Sequence, residues 1–193
     1  MMKYFKKIFL SCISLPVVFS ILAAESGLRL IDNADIFKQR RDQVLMHMGE
    51  GIAFFPGMIR NEYGQSDEGQ AKYLYYLTGI RKARAIYALD ADSKRPFQLI
   101  IPPSNPMHAF WSGLPMDASI ARKRFGAEVV HPAGDYKKIF RRLIRGKKKI
   151  YLNINNRWLM KQLSPLLNGR QSIQLVNIKP FLDEMRVIKD PVE

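Results

Sequence analysis

Apolar positions recur along the chain with two different spacings, and the switches between them mark alternating helices and strands. After Asp32-Asn33, the segment ADIFKQRRDQVLMHM sets Ile36, Phe37, Val44, Leu45 and Met48 near one helical face, and Gly49 follows. An Asx cap, helical spacing and a terminal glycine predict a helix. GIAFFPG (51–57) predicts a short buried strand closed by Pro-Gly, and the polar stretch 58–69 a loop. KYLYYLTG (72–79) and RAIYALD (84–90) are aromatic-rich runs that predict two strands joined by a turn. FQLIIPP (97–103) predicts a further strand.

Beyond a proline-rich loop, Asp117 caps ASIARKRF, Gly126 ends that helix, and AEVVH (127–131) reads as a strand. Asp135 caps YKKIFRRLIR, where Tyr136, Ile139, Phe140, Leu143 and Ile144 follow i, i+3, i+4, i+7, i+8. KKIYLNI (148–154) is the next strand, and 157–167 a helix with Pro165 near its end, where a proline can stop a helix early. SIQLVNI (172–178) is the last strand, and Pro180 opens a short final helix. Such repetition predicts an α/β fold, a mixed and mostly parallel sheet flanked by helices.

Composition adds location and excludes several chemistries. Residues 1–7 (MMKYFKK) hold three lysines and no acid, residues 8–24 hold no charge, and Glu25 follows. That is the pattern of a secretory signal peptide over 1–24, cut near Ala23-Ala24 or after Ser26. Export to the periplasm or beyond is the expectation. The single cysteine, Cys12, lies inside the segment to be removed. A mature chain without thiols excludes disulfides, a cysteine nucleophile and cysteine-based metal sites. No H-E-x-x-H, G-x-S-x-G or glycine-rich phosphate loop occurs.

The formal charge is +14, and 137–149 (KKIFRRLIRGKKK) carries eight basic residues in thirteen. The run reads either as the solvated face of an amphipathic helix or as a patch for anionic surfaces; nucleic acid is not expected for an exported chain. The histidines are His47, His108 and His131, and only His108, near Trp111 in NPMHAFWSG, is placed where a ligand could reach it. Most acids fall at helix caps (Asp32, Asp117, Asp135) or in turns (Asp90, Asp92), so neither a catalytic nor a metal residue is assigned.

Four segments, FKQRRDQVLMHMGEGIAFFPG (37–57), YLYYLTGI (73–80), AFWSGLPMD (109–117) and LDEMRVIKDPVE (182–193), together resemble the N-terminal domain of aminopeptidase P in the creatinase and prolidase family. The last is the most specific, because Glu184, Arg186, Lys189, Pro191 and Glu193 keep the family's E-x-R-x-x-K-x-P-x-E spacing. EGQAKY (68–73) departs from the family pattern, keeping only Gln70. The resemblance implies a domain over 32–182 and a junction over 183–193, leading in the family to a peptidase domain. That domain binds two Mn²⁺ and cleaves Xaa-Pro bonds, and the expectation is that these 193 residues lack it and are inactive alone. By resemblance Trp111 belongs to a Trp-x-Gly loop that restricts substrate access; the other reading is an aromatic anchoring an interface or the core. Glu184 and Arg186 are expected to serve salt-bridging or docking. Expected partners are a second copy, a separately encoded peptidase domain, or anionic surfaces through 137–149.

Overall fold

The three central strands carry no exposed residue: β1 (Ile52–Pro56), β2 (Ile86–Asp90) and β3 (Phe97–Ile101) are buried along their whole length. Strands buried in this way need helices on both faces of the sheet. The computed structural model describes residues 34–57, 68–80, 85–101, 117–132, 134–169 and 172–187. Within them lie helices α1 (34–48), α2 (Glu68–Thr78), α3 (Ala118–Phe125), α4 (Tyr136–Leu143), α5 (Arg157–Leu167) and α6 (Lys179–Met185). Outer strands β4 (Val129–Pro132), β5 (Lys149–Leu152) and β6 (Gln174–Asn177) complete one sheet in the order β4-β3-β2-β1-β5-β6. Pairs β1–β2 and β2–β3 are antiparallel, whereas β3–β4, β1–β5 and β5–β6 are parallel. The sheet is mixed and mostly parallel, as the alternation predicts.

Side-chain alternation divides the core in two. Ala53, Phe55, Tyr87, Leu89, Leu99 and Tyr151 face one side, where they meet Val44 and Met48 of α1, Leu74 and Leu77 of α2, Ala121 of α3 and Leu182 of α6. Ile52, Phe54, Ile86, Ala88, Ile100 and Leu152 face the other, against Ile139, Phe140 and Leu143 of α4 and Leu159 and Leu163 of α5. The chain enters β1 through Gly51, at φ 91°, where a Cβ would lie 2.4 Å from the Lys149 carbonyl oxygen. Only glycine permits β1 to pair this closely with β5.

Asp117 and Asp135 cap the helices expected of them, and Asn156 caps α5. Asp117, Asp135 and Asn156 accept from the backbone N–H of Ile120, Lys138 and Leu159 at 2.7, 3.1 and 2.7 Å.

One expectation fails. The run 72–79 is not a strand: residues 68–78 are helical, with Tyr73, Leu74, Tyr76 and Leu77 buried together on one face. Tyrosine favours strands only as far as its neighbours offer a pleated surface. Here the i, i+3, i+4 spacing against the sheet overrides that preference. The Thr78 hydroxyl donates back to the Leu74 carbonyl at 2.6 Å, and Gly79 ends the helix at φ 71° against the Phe37 ring. Helix α5 has the expected bounds, with Pro165 inside it and its end at Leu167. The expected signal peptide 1–24, most of the expected loop 58–69, the segment that holds His108 and Trp111, and residues 188–193 lie outside the described residues.

Candidate functional site

Helix α2 has no basic residue in its last turn, and α1 supplies the missing charge. Arg40 Nη1 donates to the Tyr76 carbonyl at 2.8 Å and Arg41 Nη1 to the Leu77 carbonyl at 3.0 Å. Two guanidiniums from a neighbouring helix thus reach the terminal carbonyls and oppose the negative end of the dipole. Arg40 is 4% exposed, with its guanidinium carbon 3.9 Å from the Tyr76 ring centre. Arg41 lies 4.5 Å from the Phe97 ring, and burial lowers its pKa against the pull of Tyr87, Asp42 and Glu128.

The tyrosines of α2 in turn hold α6. Tyr73 Oη donates to Asp183 Oδ1 at 2.5 Å, and Tyr76 Oη donates to the Met185 carbonyl at 2.9 Å. Arg186 sits 5.8 and 5.9 Å from the two ring centres. Its buried Nε has no hydrogen-bond partner among the described residues. Asp183 also pairs with Lys179 and, at 3.7 Å, with Lys72. The Lys179 ammonium, then the Tyr73 hydroxyl, hold the Asp183 carboxyl below the usual range. Burial first, and the Asp183 hydrogen bond second, push the Tyr73 phenol up. Phe181 stacks on His47 with ring centres 3.7 Å apart. Arg40, Tyr73, Tyr76, Asp183 and Arg186 therefore form one clamp that fixes the course of α6.

Two further polar groups tie strand ends and the β4 edge. Lys147 pairs with Asp90 and, at 3.0 Å, with Asp92, which also accepts the Gly51 N–H at 3.0 Å. Burial works to raise the Asp92 pKa, but the Gly51 N–H and Lys147 outweigh it and hold the carboxyl low. His131 lies 2.8 Å from Gln98 Oε1 through Nε2 and 2.8 Å from Arg142 Nη2 through Nδ1. A guanidinium can only donate, so Nδ1 is the acceptor and Nε2 carries the proton. Burial, then the Arg142 charge, lowers the His131 pKa.

The described residues offer no group that fits the two Mn²⁺ implied by the family resemblance. Among the described residues, no three His, Cys, Asp or Glu side chains come together as a metal group would require. Asp117 and Asp135 are caps, and Asp90, Asp92 and Asp183 face ammonium groups. Trp111 and His108 fall outside the described residues. Glu184 is exposed and Arg186 is half-buried in the clamp. Sequence reasoning passed over Arg40, Tyr73 and Tyr76. The signal was present in the paired spacings Tyr73/Tyr76 and Leu74/Leu77, which a strand does not place on one face.

Comparison with known proteins agrees with this architecture. The family described as Aminopeptidase P, N-terminal domain matches residues 37–151. A probable Xaa-Pro aminopeptidase of Colletotrichum graminicola is 29% identical over 147 residues, covering 74% of this chain and 31% of its own. A probable Xaa-Pro aminopeptidase of Sordaria macrospora is 33% identical over 89 residues, or 44% of this chain and 19% of its own. The solved aminopeptidase PepP of Pseudomonas aeruginosa superposes with a TM-score of 0.66 at 23% identity, over 82% of this chain and 39% of its own. Proline aminopeptidase P II of Yersinia pestis gives 0.66 at 18%, over 83% and 40%. The chain thus spans about a third of the length of the first of these relatives. With the family matched across more than half its residues, this chain belongs to the aminopeptidase P N-terminal domain family.

Proposed function

We propose that this domain is the non-catalytic N-terminal part of an exported Xaa-Pro aminopeptidase, and that it seats a Mn²⁺-dependent peptidase domain. The observation that carries the reading is the clamp: α6, which leads to the junction motif, is fastened by Tyr73, Tyr76 and Arg186. A platform for a following or separately encoded domain needs such a rigid exit. Glu184 and Val187 stay exposed beside it, the latter at 78%, and are available for contact. Metal and hydroxide chemistry then belong to the peptidase domain, and Trp111 to the rim of its substrate entrance.

Hydrolysis of an Xaa-Pro dipeptide with added Mn²⁺ tests this, run beside a chelated control. The 193-residue chain alone is expected to give no turnover and to co-sediment with an added peptidase domain. Chelator-sensitive turnover that stays with the chain overturns the assignment. Sedimentation of the chain with itself only would favour a second copy as partner. Mass spectrometry of the protein from its own cells is expected to give an N-terminus between Ala24 and Gly27. An intact Met1 in the soluble fraction refutes export with cleavage.

A further inference from the structure

Between Asp135 and Asp183 the chain contains twelve lysines and arginines and no acid. The structure sorts these cations. Lys147 is matched by Asp90 and Asp92, Lys149 by Glu50 at 3.1 Å, and Lys179 by Asp183. Seven others lie exposed on or beside the second helical layer. Lys138, Arg141 and Arg142 recur at i, i+3 and i+4 on the side of α4 away from Ile139, Phe140 and Leu143, and Arg145 follows in the turn after it. All four are exposed, as are Lys137 and, on α5, Arg157 and Lys161. The acid at the start of α4, Asp135, is turned to its cap.

These charges sit on a built surface. Tyr136 and Phe140 of α4 meet the Trp158 ring of α5 edge-on, at 5.5 and 6.4 Å between centres. The aromatic lock joins the two helices into one layer over the second sheet face. The clamp and α6 cover the first face, so a domain seated at α6 leaves this layer clear.

We propose that the outer face of α4 and α5 docks the domain on an anionic phospholipid bilayer, its cations against the headgroup phosphates. Charge complementarity is the ground: each Lys or Arg near an anionic leaflet strengthens partitioning by about fivefold. Single-stranded nucleic acid would ask for aromatic faces on which bases stack, and here Trp158 is turned into the helix contact. The inference is independent of peptidase activity.

The experiment is co-sedimentation of the full chain with phosphatidylcholine vesicles, with and without phosphatidylglycerol. Binding is expected only with the anionic lipid, and it should vanish as salt approaches 1 M, where screening acts within about 3 Å. The salt arm needs no variant. K138Q/R141Q/R145Q is expected to weaken binding by about a hundredfold at unchanged thermal melting. R122Q/K123Q/R124Q removes the same charge from exposed positions of α3 and is expected to change it little. The apolar N-terminal run is common to every variant and cancels. Equal binding to neutral vesicles, equal loss in the α3 variant, or tighter binding to duplex DNA than to vesicles each overturns the proposal.

Discussion

On one face of the sheet, α4 and α5 bury Ile139, Phe140, Leu143, Leu159 and Leu163 and keep their charges in solvent. On the other, α1, α2 and α6 carry guanidiniums, phenols and a carboxylate into the contact itself. The first arrangement is non-directional and rests on area removed from water. The second is directional and depends on each donor finding its acceptor. Apolar layers tolerate small shifts, whereas a clamp of hydrogen bonds and ring contacts fixes one geometry. The directional layer lies on the side that holds α6.

The largest effect is expected from the apolar layer. Phe140 is fully buried and touches Phe54 edge-on at 5.0 Å. Phe140→Ala should cost about 3–5 kcal/mol in urea unfolding through lost transfer and a residual cavity. A loss below about 1 kcal/mol would show that the layer repacks and is not a jigsaw contact.

Next comes the clamp. Arg40→Ala leaves the Tyr76 carbonyl without its charged donor and should destabilise by about 2–3 kcal/mol. Arg40→Lys should recover little, because an ammonium reproduces neither the planar fork nor the stacking over Tyr76. Full recovery by lysine would reduce the directional layer to simple charge at a helix end.

A smaller, pH-dependent effect is expected at His131, which spans both kinds of contact. Its folded pKa lies below the ordinary 6.5, so below that value the unfolded chain binds more protons. The contribution of the neutral imidazole is therefore complete above about 6.5 and declines as pH falls beneath it. Imidazolium could not accept from Arg142 and would face its charge. Thermal melting across this window should slope downward toward acid, and His131→Asn should flatten it. An unchanged slope would remove His131 as the source.

The smallest effect belongs to Tyr87, whose hydroxyl is buried on the clamp's face of the sheet without a hydrogen-bond partner among the described residues. Burial pushes its pKa well up, so the phenol stays neutral. Tyr87→Phe should be neutral or stabilising by up to about 1 kcal/mol. A clear destabilisation would reveal a partner for that hydroxyl and extend the directional layer into the sheet.

The sequence by itself determined the strands, the helix caps and the whole of the apolar layer. Each of these is a local fact: a period of 2 or 3.6, an Asp or Asn before an apolar run, a Pro-Gly stop. Ile139, Phe140 and Leu143 announce their face within a single helix, and the cations opposite them announce the solvent. Tertiary structure alone decided α2. Its aromatics satisfy strand preference locally, and only the sheet, α1 and α6 together make the helical register of Tyr73, Leu74, Tyr76 and Leu77 the one that buries them. The clamp was invisible for the same reason. Arg40 reaches Tyr76 across 36 positions and Tyr73 reaches Asp183 across 110. A donor and an acceptor that far apart leave no periodic trace, because what joins them is the fold and not the spacing.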